Sequence, residues 1–79
     1  MDRKALETKI LELVSTSYNT DVSKLTLETT FKEDLKGASI LLVGLASQIE
    51  NELDVMIPLP EVSQAKTIGD LVDKVEEML

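Results

Sequence analysis

The last twelve residues of the chain carry an apolar pattern that matches one kind of secondary structure. From Ile68 to Leu79, apolar residues recur at spacings of three and four, and charged residues fall on the opposite side. This period is that of an α-helix and differs from the two-residue alternation of a strand. Thr67 precedes the pattern and Asp70 follows three residues later, which predicts a capping box at the start of the helix. The predicted core face is Ile68, Leu71, Val72, Val75, Met78 and Leu79.

Two further segments have the same helical period. Residues 3–17 form the first, and Asp2 precedes it as a plausible cap for its free N–H groups. Residues 39–53 form the second. Leu11 falls off the apolar stripe of the first segment and is predicted to be an isolated exposed side chain. The predicted core faces are Leu6, Ile10, Leu13, Val14 and Ser17 in the first segment, and Leu42, Leu45, Ala46, Ile49 and Leu53 in the second.

The segments between these helices are predicted to be loops that contain short turns. Residues 18–38 are rich in polar residues, and a loop this long in a small domain has to be held by buried side chains. Asp21 is placed to cap a turn that ends at Lys24. Prolines at 58 and 60 exclude continuation of the second helix, and residues 61–66 are predicted to form one helical turn. The apolar residues expected to pack inward are Val22, Leu25, Leu27, Phe31, Ile57, Val62 and Ala65.

These patterns predict an all-α fold. A chain of 79 residues is long enough for one domain with one small core, so residues 1–79 are expected to form a single domain. The fold class is a small four-helix bundle of three main helices and one short helix, with a long loop between helices 1 and 2.

Composition argues against several classes of function. The chain has no Cys and no His, so it lacks a cysteine nucleophile, the commonest general base and the commonest metal ligand. Its net charge is −7. An acidic surface repels phosphate backbones, which predicts no nucleic-acid partner and favours basic protein surfaces instead. The acidic residues show no calcium-loop spacing, so no metal site is predicted. We expect a binding or carrying module and not an enzyme.

The chain is expected to be a cytoplasmic monomer that does not insert into membranes. Its first residues, Met-Asp-Arg-Lys, lack the apolar core of a secretory signal. The longest uncharged run extends from Gly37 to Ile49, and its thirteen residues are too few to span a bilayer.

Ser39 stands where a charged, turn-prone stretch gives way to the second helix. A serine at this position can cap the helix by accepting a hydrogen bond from a backbone N–H group. The free N–H groups and the helix dipole would also suit a phosphate. A serine nucleophile is a weak interpretation, because nothing orients Lys36, three residues earlier, as its base. Ser39 is therefore either an ordinary cap or the carrier of a phosphorylated group.

The second helix is more apolar than one buried face requires. Apolar residues flank the side opposite its predicted core face, and in a domain of this size we interpret that side as a binding surface. The opposite side carries Ile40, Gly44, Ser47 and Asn51, with Leu41 and Val43 on its flanks.

The stretch around Ser39 resembles the acyl carrier protein family. The run Phe31-Lys-Glu-Asp34-Leu35-Lys-Gly-Ala-Ser39-Ile40 is similar to the family signature F-x-x-D-L-G-x-D-S-L. The similarity continues through Glu50-Asn-Glu-Leu-Asp54 and Ile57-Pro58, and resumes at Thr67-Ile-Gly-Asp-Leu71, so it covers essentially the whole chain.

The resemblance implies a covalent 4′-phosphopantetheine arm on Ser39, transferred from coenzyme A, that holds acyl groups as thioesters on its own thiol. It also implies that a phosphopantetheinyl transferase and acyl-processing enzymes dock on the second helix. The candidate docking residues are Ile40, Leu41, Gly44, Ser47, Glu50 and Asn51, and Lys36 is a candidate phosphate contact.

The site departs from the family pattern. Ala38, Leu41 and Gly44 stand where acidic residues are common, and Lys36 replaces a usual glycine. Leu42 stands where such carriers often have a smaller residue, which would shrink an acyl cavity. An atypical Gly-Ala-Ser-Ile site predicts a specialised carrier in a lipid, polyketide or related pathway. Two alternatives stay open: an unmodified helical interaction module, and a peptidyl or aminoacyl carrier.

Overall fold

The structure is a computed structural model that describes residues 2–35 and 39–79. Within these residues it contains helices and turns but no strand, which confirms the predicted all-α bundle of three main helices and one short helix. A 3₁₀ turn and a single π-type turn lie in the connection after the first helix. The elements are α1 (Arg3–Tyr18), the 3₁₀ turn (Val22–Lys24), the π turn (Phe31–Leu35), α2 (Ser39–Leu53), α3 (Leu59–Gln64) and α4 (Ile68–Met78).

The helix ends follow from residues next to them in the sequence. Asp2 accepts a hydrogen bond of 2.8 Å from the backbone N–H of Ala5 and caps α1 as predicted. At α4 the predicted capping box is complete: the Thr67 hydroxyl accepts from the N–H of Asp70, and the Asp70 carboxylate accepts from the N–H of Thr67. α3 begins two residues earlier than expected, because Pro60 fits the first turn of a helix, where its missing N–H is not needed.

The core lies between α1, α2 and α4, and α3 closes one end. Most predicted inward residues are buried. Four expectations were wrong: Leu11 packs partly against the core, while Val22, Met78 and Leu79 are 44%, 40% and 57% exposed. Met78 ends α4 and Leu79 follows it, where the described elements leave the apolar face partly exposed. The buried apolar residues are Leu6, Ile10, Leu13, Val14, Leu25, Phe31, Leu45, Ala46, Ile49, Ile57, Val62, Ala65, Ile68, Leu71, Val72 and Val75.

The long connection between α1 and α2 is fixed against the start of α4 by backbone hydrogen bonds. The N–H of Phe31 donates to the Lys66 carbonyl at 3.1 Å, and the N–H of Ile68 donates to the Thr29 carbonyl at 3.0 Å. Between them, Thr30 and Thr67 form an isolated antiparallel bridge. Sequence patterns predicted that side chains would hold this loop, but did not reveal that its backbone is also paired. Residues 29–31 of the loop are therefore held in a fixed position against the start of α4.

Candidate functional site

Ser39 is the first residue of α2, as predicted from the change in sequence composition. The first turn of α2 contains no acidic residue, so no carboxylate of this turn neutralises the positive end of the helix dipole. The next residue, Ile40, is 74% exposed, which places this end of the helix at the protein surface. A group attached to a residue of this turn could therefore be reached by another protein.

Three residues immediately before Ser39 lie outside the described residues. They are Lys36, Gly37 and Ala38, which include the candidate phosphate contact and two of the departures from the family signature. The contact between Lys36 and a phosphate stays a prediction.

The turn that precedes the site is organised by Asp34. Its carboxylate oxygen Oδ2 accepts hydrogen bonds from the backbone N–H and the hydroxyl of Thr30, at 2.8 and 3.1 Å. The Thr30 hydroxyl oxygen in turn accepts from the N–H of Asp34 at 3.1 Å. These reciprocal bonds resemble a capping box with a spacing of four residues in place of three. From the sequence, Asp34 was predicted only as part of the family motif; the Thr-x-x-x-Asp spacing is the signal that indicates its additional role in this turn.

We expect Asp34→Ala to lower the free energy of unfolding by about 1 kcal/mol, because the loss of a side-chain cap typically has this effect. In a domain of this size that corresponds to a fall in Tm of about 4–8 °C. Asp34→Asn keeps one acceptor oxygen for the N–H of Thr30 and should lose less. Thermal unfolding followed by circular dichroism measures both. Equal stability of Asp34→Ala and the wild type would contradict this role.

Four of the six candidate docking residues are exposed on one side of α2, and together with Val43 they form what we call the α2 face: Ile40, Val43, Gly44, Ser47 and Asn51. Leu41 and Glu50, which were also candidates, are half-buried at its edges. Val43 was predicted to lie on the flank of this side of the helix. It is 44% exposed and adds to the apolar area of the α2 face. Three of these candidates, Ile40, Gly44 and Ser47, are exposed next to one another, at the spacings of four and three that bring residues together on a helix.

The C-terminal end of α2 carries the acidic residues. Glu52 reaches Lys9 of α1, with 3.4 Å between the Lys9 Nζ and a carboxylate oxygen. Asp54 follows the helix with a φ of 55°, a left-handed conformation that Asp tolerates better than most residues. This backbone conformation is sufficient to account for an aspartate at position 54, whether or not its charge takes part in docking. An exposed ion pair such as that of Glu52 contributes little to stability.

A cleft of about 550 Å³ opens beside α2. Leu42 lies on one wall, three residues after Ser39, or about 4.5 Å further along the helix axis. That the Leu42 side chain reduces the size of an acyl cavity stays a prediction. The lining residues are Thr30, Phe31, Lys32, Glu33, Leu42, Ser63, Gln64, Ala65 and Lys66.

The described residues offer no assembled catalytic or metal centre. No group of three or more acidic side chains in residues 2–35 and 39–79 is arranged to hold a metal ion. Asp73 and Glu76 near the C-terminus instead pair with Arg3 of α1, at 2.8 and 3.0 Å. The hydrogen bond with Glu7, followed by the contacts with Asp73 and Glu76, raises the pKa of Arg3 above its ordinary value. The contacts with Asp73 and Glu76 join two helices and contribute no reactive group.

Comparisons with known proteins identify the family. Residues 8–75 match the family described as a phosphopantetheine attachment site. The chain is also 34% identical over 74 residues to the acyl carrier protein of Porphyromonas gingivalis, covering 94% of this chain and 95% of that protein. The chain belongs to the acyl carrier protein family. This carrier is likewise 36% identical over 72 residues to the acyl carrier protein of Rickettsia canadensis, covering 91% of this chain and 84% of that protein.

A solved structure supports the same assignment for the carrier. A Mycobacterium tuberculosis protein described as a candidate acyl carrier protein superposes with a TM-score of 0.83 at 26% identity, covering 94% of this chain and 99% of that chain. Members of the family are carriers and not enzymes, and they hold 4′-phosphopantetheine covalently. They dock with a phosphopantetheinyl transferase and with acyl-processing enzymes. Among the described residues, no helix is both long and apolar enough to cross a membrane.

The carrier's own residues fit this group. Ser39 supplies a hydroxyl-bearing residue at the start of α2, and the first turn contains no carboxylate that would repel a phosphodiester. The exposure of the adjacent Ile40 leaves the turn accessible to an enzyme.

Proposed function

We propose that this acyl carrier protein bears its 4′-phosphopantetheine arm on Ser39 and carries acyl intermediates as thioesters in a specialised lipid, polyketide or related pathway. The observation that carries the proposal is the position of Ser39 as the first residue of α2, whose first turn contains no acidic residue and includes the exposed Ile40. The matched family region, residues 8–75, contains this position.

The chain's own residues have two tasks in this function. The Ser39 oxygen forms a bond to the phosphorus of the pantetheine phosphate, the bond from that phosphorus to the adenosine 3′,5′-bisphosphate part of coenzyme A breaks, and the serine proton passes to a base of the transferase. The N–H groups of the first turn of α2 would hold the phosphodiester, which the helix dipole favours. When attached, the arm supplies the thiol that forms thioesters. Lys36 is proposed as a further phosphate contact.

We further propose that partner enzymes bind the α2 face, together with Leu41 and Glu50 at its edges. Carriers with acidic residues at positions 41 and 44 would present charge there, whereas this chain presents Leu41 and Gly44. Docking should therefore depend more on apolar contact and less on electrostatic steering. We also propose that the chain is a single-domain, cytoplasmic monomer.

The two alternatives make different demands on Ser39. An unmodified interaction module would use the α2 face and keep Ser39 only as a helix cap, whereas a peptidyl or aminoacyl carrier would need the arm but load a different cargo. The family match favours a modified carrier over the unmodified module. The names of the curated relatives favour acyl cargo.

Intact mass spectrometry tests the attachment. The protein is incubated with coenzyme A and a broad-specificity phosphopantetheinyl transferase, and the expected result is a gain of one phosphopantetheine, which peptide mapping assigns to Ser39. A second known carrier in the same tube reports that the transferase is active. No gain by the folded protein with several active transferases would favour the unmodified module.

Replacing Ile40 by alanine tests the α2 face. Because Ile40 is mostly exposed, truncation should leave the free energy of unfolding within about 0.5 kcal/mol of the wild type. If the transferase packs on Ile40, we expect kcat/KM for arm transfer to fall about tenfold, which corresponds to about 1.4 kcal/mol of lost contact. Leu79→Ala removes a similar exposed apolar side chain from the end of α4 and should change neither quantity. Equal kcat/KM for Ile40→Ala and Leu79→Ala would contradict docking on this face.

A further inference from the structure

The cleft beside α2 combines apolar and polar lining residues. Phe31 and Ala65 are buried, with 6% and 7% of their surface exposed, and Leu42 packs partly against the core. The cleft volume of about 550 Å³ lies within the range of about 300–1,000 Å³ that is usual for small-molecule sites. A matching ligand therefore has an apolar part and a polar end. The polar lining residues, all exposed except the first, are Thr30, Lys32, Glu33, Ser63, Gln64 and Lys66.

The cleft is positively charged although the chain as a whole is acidic. Lys32 and Lys66 outnumber Glu33 among its lining residues, whereas the net charge of the chain is −7. Within residues 2–35 and 39–79, the basic side chains that form ion pairs are Arg3 and Lys9, so neither lysine of the cleft is paired with a carboxylate there. Two ammonium groups without such a partner favour the binding of an anion.

The backbone brings the two lysines to the same cleft. The N–H of Phe31 donates to the carbonyl of Lys66 at 3.1 Å, so Lys66 is paired with the residue immediately before Lys32. The bridge between Thr30 and Thr67 holds the two segments together on the other side of this hydrogen bond. Each lysine has a flexible stem and three donor N–H groups. Both can therefore contact the oxygens of a single carboxylate.

We propose that this cleft selects an acyl cargo whose far end is a carboxylate. The methylene groups of the cargo lie against the apolar lining residues, and its carboxylate lies between Lys32 and Lys66. This rests on the proposed attachment at Ser39 and names the class of cargo that the arm carries. Leu42 is about 4.5 Å from Ser39 along the helix axis, so a flexible arm that begins at Ser39 can fold back into the cleft.

Other cargoes match the cleft less well. A purely alkyl chain covers the apolar residues but leaves both ammonium groups without an anion. A very short acyl group with a carboxylate reaches the lysines without covering the apolar residues. The phosphodiester of the arm is a further anion, but it is bonded to Ser39 itself, where the N–H groups of the first turn of α2 are its proposed donors.

The test compares two cargoes of equal carbon number, adipoyl and hexanoyl, which differ in the terminal carboxylate. A broad-specificity transferase loads each from its coenzyme A thioester. Hydroxylamine then attacks the thioester carbon, the carbon–sulfur bond breaks, and intact mass follows release of the free thiol. Each rate is divided by the rate for the same acyl-coenzyme A. We expect the adipoyl form to be cleaved about fivefold more slowly, because exposed ion pairs are individually weak but both lysines act together.

Substitutions assign this protection to the lysines. The double variant Lys32→Gln and Lys66→Gln should give equal normalised rates for the two cargoes. Glu33→Gln removes the opposing charge and should increase the protection about twofold. Lys24→Gln is the matched control, because Lys24 is an exposed lysine of the 3₁₀ turn outside the cleft, and it should keep the fivefold difference. Salt at about 1 M, where the screening length is about 3 Å, should reduce the protection in the wild type.

The outcomes separate the cargo from the carrier function. Equal normalised rates for adipoyl and hexanoyl in the wild type would overturn the cargo proposal while the carrier function stands. A difference that persists in the double lysine variant would overturn it as well. So would a fall in Tm that the double variant shows equally with an unloaded arm and with both cargoes, since the lysines would then bind the phosphodiester. If the protein gains no arm from either thioester with an active transferase, the proposed attachment itself fails.

Discussion

Ser39→Ala is expected to abolish attachment of the 4′-phosphopantetheine arm completely while leaving the bundle folded. The hydroxyl oxygen is the atom that bonds to phosphorus, and no neighbouring residue can replace it: Ile40, Leu41 and Leu42 follow, and the chain contains no Cys. The stability effect should be small by comparison, at most the 0.5–2 kcal/mol of a lost helix cap. Intact mass after incubation with transferase and coenzyme A measures the attachment, and circular dichroism measures the fold.

Two controls make this result specific. Ser23→Ala removes a hydroxyl from the 3₁₀ turn, where it donates to the Asp21 carboxylate at 2.9 Å, and should leave arm transfer unchanged. Ser39→Thr keeps a hydroxyl but adds a methyl group, so that slow transfer would indicate that the transferase site is sterically selective. A full mass gain by Ser39→Ala would move the attachment to another residue. Loss of the fold in Ser39→Ala would instead assign Ser39 a structural role.

The helices of this protein could be predicted from sequence because their signals are local. Asp2 and the Thr67–Asp70 pair each cap a helix within four residues, and both caps form as predicted. The position of Ser39 at the start of α2 was predictable for the same reason, since polar, turn-prone residues end where an apolar helical run begins. Burial along each helix followed the 3.6-residue period closely.

The errors arose where burial depends on a neighbouring element. Met78 and Leu79 have the correct period for the core, but the bundle ends before it can cover them. Leu11 was expected to be exposed because it lies off the stripe of α1, yet it packs partly against the core. Val22 lies in the 3₁₀ turn and is 44% exposed. Periodicity describes one helix at a time and contains no information about where its neighbours end.

The position of Ser39 could be predicted from the sequence, but the hydrogen bonds that fix the turn and loop preceding it could not. The reciprocal bonds between Thr30 and Asp34 join residues that are close in sequence, but the spacing of four differs from the usual capping spacing of three. The backbone pairing of residues 27–31 with residues 66–69 joins segments that are distant in sequence. Hydrophobic patterning cannot report such pairing, because main-chain groups carry no sequence signature.

Phe31→Ala should cause the largest loss of stability of the changes considered. Phe31 is 6% exposed and is the only phenylalanine in the chain. Its ring lies 6.0 Å from that of Tyr18, centre to centre and tilted by 44°. Truncation of a buried phenylalanine to alanine typically lowers the free energy of unfolding by about 3–5 kcal/mol. A domain of this size has a total of about 5–15 kcal/mol, so the variant should be close to unfolding.

The loss should be partly local, because Phe31 begins the π turn and its N–H holds the loop to the Lys66 carbonyl. We expect Tm to fall by about 15–30 °C, and we expect arm transfer to slow as residues 31–35 lose their attachment to the start of α4. Phe31→Leu keeps a large apolar side chain and should lose about 1 kcal/mol, while Lys32→Ala, at an exposed neighbour, should stay within about 0.5 kcal/mol of the wild type. A Phe31→Ala variant with the stability of Lys32→Ala would show that the ring is not a core anchor, and the loop would then be held by its backbone pairing alone.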